Sequence, residues 1–272
     1  MRLAVGFFDG VHRGHQAILH GADAALTFSN HPLSVLAPER APRLLMSVEE
    51  RVEAIRACGI GEVSVLDFTP ELARLTAEDF SKKLVDAGSG VVVRCGDNWR
   101  FGKGGVGDAA FLRARGIEVE VVSYVDYRGE PVSSSRIRRC LSEGTIEEAN
   151  DMLGRPYSVR GEVVSGKGMG AGIGFPTLNI ATARALPLRF GAYAVTVGGR
   201  KGVANFGLAP TMGEKAWREP VLEVHLLGDE PVASPGTAAV SFVRFLRAER
   251  KFGSLDDLKR QIAEDCEKVK GM

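Results

Sequence analysis

Two histidines three residues apart, in the segment GFFDGVHRGHQ of residues 6–16, are the strongest chemical signal in the sequence. The segment follows a short apolar run and precedes a helix-like stretch, and open α/β sheets bind ligands where their strands end in this way. On a first helical turn His12 and His15 face the same way. Backbone amides near Gly14 add partial positive charge. Two imidazoles over an amide-rich turn suit a polyphosphate whose charge grows in the transition state.

Two other interpretations of these histidines stay open. Both rings could simply cap the helix and line a polar surface, although the complete HxGH pattern after a strand and an Asp-Gly turn favours the functional interpretation. A metal site would need further His, Cys or carboxylate ligands at defined spacing, and the available candidates are His20 and His31.

Two further segments of the first half carry groups suited to a nucleotide or a flat ring. The run VVVRCGDNWRFGKGG, residues 91–105, leads from a buried strand to Asn98 and then to Phe101, in a loop able to contact a ring. The run VSSSRIRRCL, residues 132–141, offers serine hydroxyls at a helix start with Arg138 on the same face, a combination that suits a phosphate group. Taken singly, the first is typical of an ordinary strand and turn, and the second of a helix N-cap.

The second half contains a glycine-rich segment, GKGMGAGIGFPTLN, with glycine at every second position from 166 to 174. Backbone amides there can approach a phosphate closely. Thr177 and Asn179 then offer a hydroxyl and an amide oxygen, hard ligands suited to Mg²⁺. Glu223, in the strand-like VLEVH, can accept a proton as a general base. The plain alternatives are a flexible hairpin and an exposed strand carboxylate.

The elements around these segments form two different patterns. In the first half, short apolar strand-like runs alternate with helix-like ones, which is typical of βαβ units and a parallel sheet. This half ends in two helices, and Thr145 and Glu148 predict a capping box at the start of the second. After Gly154-Arg155-Pro156, six short strand-like segments separated by glycine and proline lead to one helix, SLDDLKRQIAEDCEKVK. This second pattern predicts a small antiparallel barrel with a terminal helix.

Composition agrees with two globular domains. A chain of 272 residues, 44% hydrophobic and 25% charged, is long enough for two cores and is neither disordered nor collagen-like. Its net charge of +1 hides 18 basic against 22 acidic residues in 1–152, and 17 against 12 in 153–272. With so small a net charge, the electrostatic field of the whole chain does not favour binding to nucleic acid or to a membrane surface. Four well-separated cysteines, no signal-like N-terminus and no long apolar run predict a soluble cytoplasmic protein.

The motifs, taken together, resemble one enzyme family. In this order, GFFDGVHRGH, TFSNHP, GDNWRFG and SSSRIR resemble the nucleotidyltransferase half of bacterial bifunctional riboflavin kinase/FAD synthetases. GKGMGAGIGFPTLNI, GVANFG-x-x-PT and LEVHLLG resemble the riboflavin kinase half, so the resemblance covers nearly the whole chain. It implies an α/β, Rossmann-like domain over residues 1–152 that adenylylates FMN with ATP to give FAD. It also implies a riboflavin-kinase-like β-barrel over residues 153–272 that phosphorylates riboflavin with ATP and Mg²⁺.

The resemblance also implies roles for individual residues. His12, His15 and Arg138 would act on the phosphates of ATP, and Glu223 would take the proton of the terminal hydroxyl of riboflavin. Further contacts with ATP in the first domain would come from Gly6, Phe7, Asp9, Ser134 and Ser135. Contacts with FMN would come from His31, Pro32, Asn98 and Phe101. Contacts with ATP in the second domain would come from Gly166, Gly168, Gly170, Gly174, Thr177 and Asn179, the last two also binding the metal.

The chain departs from the family pattern at several positions. Ala171 and Ala209 stand where the kinase motifs usually carry basic residues, and GDEPVASPG follows LEVHLL where an Asp-Leu-Tyr-Gly segment is usual. In the first domain, Phe7 stands in place of asparagine and Asn30 in place of proline. An FAD synthetase whose barrel has lost kinase activity is therefore one alternative.

Two alternatives come from outside this enzyme family. A flavin-sensing regulatory module would not need the intact HxGH and SSSRIR motifs, and another nucleotidyltransferase would not need the barrel. We expect small-molecule substrates, no nucleic-acid or membrane partner, and a monomer or weak homo-oligomer.

Overall fold

The structure, a computed structural model, describes residues 1–85, 90–165, 172, 174–208, 220–228 and 236–272. These residues form two compact units, Met1–Ser134 and Ser135–Met272. The domain boundary expected between residues 152 and 153 falls inside the second unit and stays a prediction. Several positions singled out in the sequence lie outside the described residues: Gly166, Gly168, Gly170, Ala171 and Ala209.

The first unit is built on a parallel sheet of five strands in the order β3-β2-β1-β4-β5. The strands are β1 Arg2–Val5, β2 Ala24–Phe28, β3 Glu62–Leu66, β4 Val92–Gly96 and β5 Glu118–Val122. The central strand β1 is buried on both faces, as expected for a parallel sheet covered by helices. Leu3 and Val5 pack into one apolar cluster and Ala4 into the other. The predicted βαβ architecture is confirmed.

Six helices lie between or beside these strands within the described part of the unit. They are α1 Arg13–Leu19, α2 Leu33–Leu36, α3 Val48–Arg56, α4 Pro70–Arg74, α5 Ala77–Val85 and α6 Ala109–Arg113. A two-stranded hairpin, β6 Asp126–Tyr127 with β7 Glu130–Pro131, follows β5. Helix α3 begins with a capping box, in which the Ser47 hydroxyl accepts from the Glu50 N–H and the Glu50 carboxylate accepts from the Ser47 N–H.

Helices α7 Ser134–Glu143 and α8 Ile146–Leu153 precede the barrel. The capping box expected at Thr145 was wrong. The Thr145 hydroxyl instead donates to the carbonyl of Cys140 at 3.3 Å, and no side-chain hydrogen bond caps α8. Because α7 ends one residue before Gly144, this hydroxyl satisfies a carbonyl at the end of α7 rather than an amide at the start of α8.

The second unit contains a closed antiparallel barrel, whose described strands lie in the order β10-β11-β12-β9-β8-β13. They are β8 Tyr157–Val164, β9 Leu178–Ala181, β10 Gly191–Val197, β11 Arg200–Leu208, β12 Pro220–Leu226 and β13 Thr237–Ala248. Helix α9, Leu255–Lys270, packs Cys266 and Val269 against Ala194 and Val203 of the barrel. The predicted barrel with its terminal helix is confirmed.

Gly161 in β8 marks a point of close strand approach. A Cβ at this position would lie 2.3 Å from the carbonyl oxygen of Ala181 and 2.6 Å from Cγ2 of Ile180, both on β9. We expect Gly161→Ala to lower the free energy of unfolding by about 2 kcal/mol, because β8 and β9 must move apart. Chemical denaturation measures this loss.

The matched control is Gly236→Ala, where no described atom beyond the chain neighbours lies within 4 Å of the added carbon. That variant should change the free energy of unfolding by less than about 0.5 kcal/mol. Equal losses in the two variants would contradict the steric explanation.

Candidate active sites

The turn from β1 to α1 contains strained backbone. Phe8 and Val11 have φ angles of 55° and 40°, in the left-handed region that side chains, above all β-branched ones, rarely adopt. Both side chains are buried, so core packing compensates for the strain. Gly6 lies beneath the Phe8 ring, which a Cβ on Gly6 would approach to 2.8 Å. The expected importance of Gly6 therefore has a steric explanation, and its contact with ATP stays a prediction.

The carboxylate of Asp9 holds this turn in place. It is buried, and it accepts hydrogen bonds from the backbone N–H of Leu45 at 2.9 Å and of Met46 at 3.3 Å. The carbonyl of Asp9 accepts from the hydroxyl of Ser134 at 2.9 Å. Both side chains predicted to contact ATP thus shape the turn, while their contacts with ATP stay predictions. Ser135 and Arg138 belong to the second unit, and their place in the nucleotide site also stays a prediction.

His12 and His15 lie together at the start of α1, on one side, as their spacing predicts. Their rings stack with 3.5 Å between centroids and 18° between planes. Nδ1 of His12 accepts the backbone N–H of His15 at 3.3 Å, so His12 is also the N-cap of the helix. A nitrogen that accepts carries no proton, which means that neutral His12 holds its proton on Nε2. Capping thus orients the ring and selects its tautomer.

His15 is held in its neutral form. Burial lowers the pKa of His15 well below its ordinary value, and the neighbouring His12 and Arg51 lower it further. The ring meets Phe8 edge to face at 5.3 Å, and its Nδ1 has no hydrogen-bond partner among the described residues. The site therefore presents a neutral imidazole with a buried ring nitrogen.

Phe7, His31 and Arg51 lie together at the ends of β1 and β2. The ring of Phe7 meets that of His31 edge to face at 4.9 Å, and the guanidinium carbon of Arg51 lies 4.3 Å from the Phe7 ring centroid. Nδ1 of His31 accepts the backbone N–H of Leu33 at 3.1 Å, while Pro32 is the N-cap of α2. Phe7 itself is half-buried, and its contact with ATP stays a prediction.

Asn30 clamps the loop that carries His31. Its Oδ1 accepts the backbone N–H of Phe68 at 2.9 Å, and its Nδ2 donates to the carbonyl of the same residue at 3.0 Å. One side-chain amide thereby pairs with both the backbone N–H and the C=O of a single residue in the neighbouring loop after β3. This explains how the chain tolerates asparagine at a position where the family pattern has proline, since two hydrogen bonds replace the rigidity of the ring.

The end of β4 carries the other residues expected to contact FMN. Asn98 is exposed there. Phe101 is buried among the rings of Phe80 and Phe111, and Trp99 stacks on it with 4.6 Å between centroids. Trp99 is the more exposed of the two stacked rings, so Phe101 packs behind the Trp99 ring on its buried side. The direct contacts of Asn98 and Phe101 with flavin stay predictions.

In the barrel, Glu223 and Asn179 are register partners on the adjacent strands β12 and β9, so their side chains share a face. Burial raises the pKa of the Glu223 carboxyl. Two residues along β12, Nδ1 of His225 lies 2.9 Å from the carbonyl oxygen of Pro176. This contact ties the segment that carries Thr177 to β12. Gly174 lies just before that segment and has a φ of 90°.

Across the described residues, no three His, Cys, Asp or Glu side chains are placed to hold a metal ion. The alternative interpretation of His12 and His15 as metal ligands thus gains no third ligand there.

Sequence reasoning missed Arg51, Trp99 and His225. A signal existed for Arg51, which lies four residues before Ile55, and both are buried on the inner face of α3. A charged residue on an apolar face is the kind of exception that marks a site. No comparable signal distinguished Trp99 or His225 from their neighbours.

Comparison with known proteins assigns both halves. A family model for FAD synthetase matches residues 1–136, and one for riboflavin kinase matches residues 153–272. The bifunctional riboflavin kinase/FMN adenylyltransferase of Escherichia coli K12 is 35% identical over 97% of this chain and 90% of its own. That of Pseudomonas fluorescens is 34% identical over 96% and 89%. A crystal structure described as a macrolide-efflux protein from Streptococcus pneumoniae is 28% identical and has a TM-score of 0.89, covering 100% of this chain and 94% of that one.

A parallel sheet with an HxGH turn, followed by a kinase-like barrel, defines a two-domain transferase. The chain belongs to the family of bifunctional riboflavin kinase/FMN adenylyltransferases. Matches to both halves favour the bifunctional enzyme over an FAD synthetase with a silent barrel. Within the ranges that the structure describes, no helix is long and apolar enough to cross a membrane.

We expect the imidazole of His15 to remain neutral at pH 6, because burial and two neighbouring groups disfavour its charged form. Nitrogen chemical shifts of ¹⁵N-histidine-labelled protein, with His15→Gln to assign the signal, measure its protonation. A midpoint at or above 6.5 would contradict the geometry described.

The lowered pKa of His15 also makes the folded protein less stable in acid. The unfolded chain binds this proton more readily than the folded one, so stability rises with pH up to about 6.5 and this contribution is then constant. The slope of stability against pH below 6.5 should be smaller in His15→Gln than in the parent protein.

Proposed function

We propose that the first unit transfers AMP from ATP to FMN at the His12–His15 turn, and that the barrel transfers the γ-phosphoryl group of ATP to riboflavin beside Glu223. The observation that carries the proposal is the stacked pair of imidazoles at the carboxyl end of the central strand. The product of the barrel, FMN, is the substrate of the first unit. Riboflavin, FMN and ATP are thus the substrates, and FAD, ADP and pyrophosphate are the products.

In adenylyl transfer, an oxygen of the FMN phosphate attacks the α-phosphorus of ATP, and the bond to the leaving pyrophosphate breaks. This in-line displacement needs position and neutralisation of charge, and no covalent enzyme intermediate. His12 supports it because its cap fixes the ring and leaves the proton on Nε2, where a phosphate oxygen can accept it. His15 stacks on that ring and keeps it from rotating away.

The expected contacts around this centre complete the proposal. Ser135 and Arg138 would hold the β- and γ-phosphates of ATP. His31, Pro32 and Asn98 would line the FMN side, at the ends of β2 and β4. Trp99 is added to this set because its ring covers Phe101 and is the more exposed of the two.

In the kinase reaction, Glu223 accepts the proton of the terminal hydroxyl of riboflavin while that oxygen attacks the γ-phosphorus and ADP leaves. A carboxylate whose pKa is raised by burial is a better base than an exposed one. Thr177 and Asn179 fit a hard cation, because both offer neutral oxygen donors and Asn179 is the register partner of Glu223. Mg²⁺ held there would neutralise phosphate charge when bound.

The proposal also covers the binding partners of the protein and its place in the cell. Small molecules are the partners, without nucleic acid or membrane, and the protein acts in the cytoplasm as a monomer or weak homo-oligomer.

Replacing both histidines separates the two activities. We expect His12→Ala with His15→Ala to reduce FAD formation from FMN and ATP by at least about a hundredfold, since the Nε2 donor of His12 and the ring that holds it in place are both gone. Formation of FMN from riboflavin should stay within about twofold of the parent rate, because it uses the barrel. Chromatography of the flavin products from each substrate gives both rates in the same preparation. Equal loss of both activities would contradict the assignment.

Glu223→Gln should do the reverse, with FMN formation reduced by about a hundredfold or more and FAD formation from FMN unchanged. In the parent enzyme the rate of FMN formation should fall as pH drops through the raised pKa of this carboxyl, because the protonated acid is no base. That acid limb should lie above the ordinary glutamate range. A Glu223→Gln variant with parental kinase rate would exclude this residue as the base.

A further inference from the structure

Arg51 is an unusual residue for the interior of this unit. Among the described residues it is the largest side chain that is fully buried, and none of its surface is exposed to solvent. No carboxylate of the described residues lies within ion-pair distance of it; Asp9 and Glu49 act on its charge only from farther away. A buried cation without a salt-bridge partner is costly, so a fold that keeps one places it where its charge has a use.

The guanidinium joins the ends of two strands. Its Nη2 donates to the carbonyl of Phe28, and to that of Ser29 at 3.4 Å, at the end of β2. Its guanidinium carbon lies over the ring of Phe7, just beyond the end of β1. Its Nε and Nη1 are buried and have no hydrogen-bond partner among the described residues. The side chain is thus held through Nη2 and through its contact with Phe7, and the N–H groups of its other two nitrogens are unused.

The position of this charge coincides with the proposed phosphate site. Arg51 lies close enough to His15 to act on its protonation, and it stacks on Phe7, whose ring contacts His31. The carboxyl end of the sheet therefore carries a buried positive charge near His15. A polyanion that binds above them gains from this charge, and a low-dielectric surrounding increases the gain.

We propose that Arg51 is a positioning residue of the adenylyl-transfer site, where its buried charge favours the polyphosphate of ATP and its stacking fixes Phe7 against His31. This inference rests on the proposed function of the first unit. Arg51 acts through its field and through Phe7, since its own nitrogens are covered. The groups that influence the charge of His15 are His12 on its own turn and Arg51 from α3, with Asp9 and Glu49 acting on Arg51.

The test compares Arg51→Met, which keeps length and removes charge, with Arg51→Lys, which keeps the charge. Arg56→Met is the matched control, because Arg56 is exposed at the end of the same helix. We expect Arg51→Met to raise the KM for ATP in FAD formation about tenfold, and Arg51→Lys to stay within about threefold of the parent. Riboflavin phosphorylation in the same molecules should not change, because the barrel carries it. FAD formation that persists at saturating ATP shows that the first unit is still folded and separates this effect from general damage.

A second readout follows the charge directly. Removing the cation beside His15 should raise the ring's titration midpoint in Arg51→Met, whereas Arg51→Lys and Arg56→Met should leave it in place. A merely structural arginine would not produce this pattern. An unchanged KM and an unchanged titration in Arg51→Met would overturn the proposal, as would Arg51→Lys behaving like Arg51→Met.

If Arg51→Met does not fold, Glu49→Gln tests the same proposal by removing a negative charge near Arg51 instead of the positive charge itself. Glu49 is exposed and its carboxylate offsets part of the charge of Arg51, so its neutralisation should lower the KM for ATP about twofold. No change in this variant would overturn the proposal. If the parent protein forms no FAD from FMN, the proposed function fails, while the titration of His15 still tests the influence of Arg51.

Discussion

The hydrogen bonds of one buried carboxylate hold the turn of the first candidate active site. Asp9 lies in a turn whose neighbours Phe8 and Val11 have left-handed backbone, and such strain persists only when surrounding contacts determine it. The backbone amides of Leu45 and Met46, from a loop more than thirty residues away in sequence, supply those contacts. These bonds help to fix the orientation of the start of α1, and with it the cap made by His12.

In the proposed function, the two halves bind phosphates with different kinds of chemical group. The first unit uses side chains at the ends of parallel strands, where β1, β2 and β4 all finish at the same edge of the sheet. The barrel uses the register of antiparallel strands, which sets Asn179 beside Glu223. In the first case a buried cation and two imidazoles would determine the electrostatics, and in the second a half-buried carboxyl group would.

Much of the architecture was predictable from the sequence, because apolar periodicity and turn residues record burial directly. The strands of the sheet and the barrel follow from them, as does the proximity of His12 and His15. Helices α2, α4 and α6 have four or five residues and show no periodicity. The misplaced cap at Thr145 shows a further limit, since a hydroxyl between two helices can serve either one. Contacts between distant segments, such as Asn30 with Phe68, leave no local trace at all.

The Asn30 clamp has a consequence for the chemical ageing of the protein. Its side chain matches the backbone N–H and C=O of Phe68 only because an amide has one accepting and one donating end. Loss of ammonia would convert it to a carboxylate, which has no hydrogen to give and would set an anionic oxygen against the Phe68 carbonyl. A single hydrolytic event, with no change in the gene, would thus open the loop that carries His31. The amide occupies a position where proline, which cannot deamidate, would be immune.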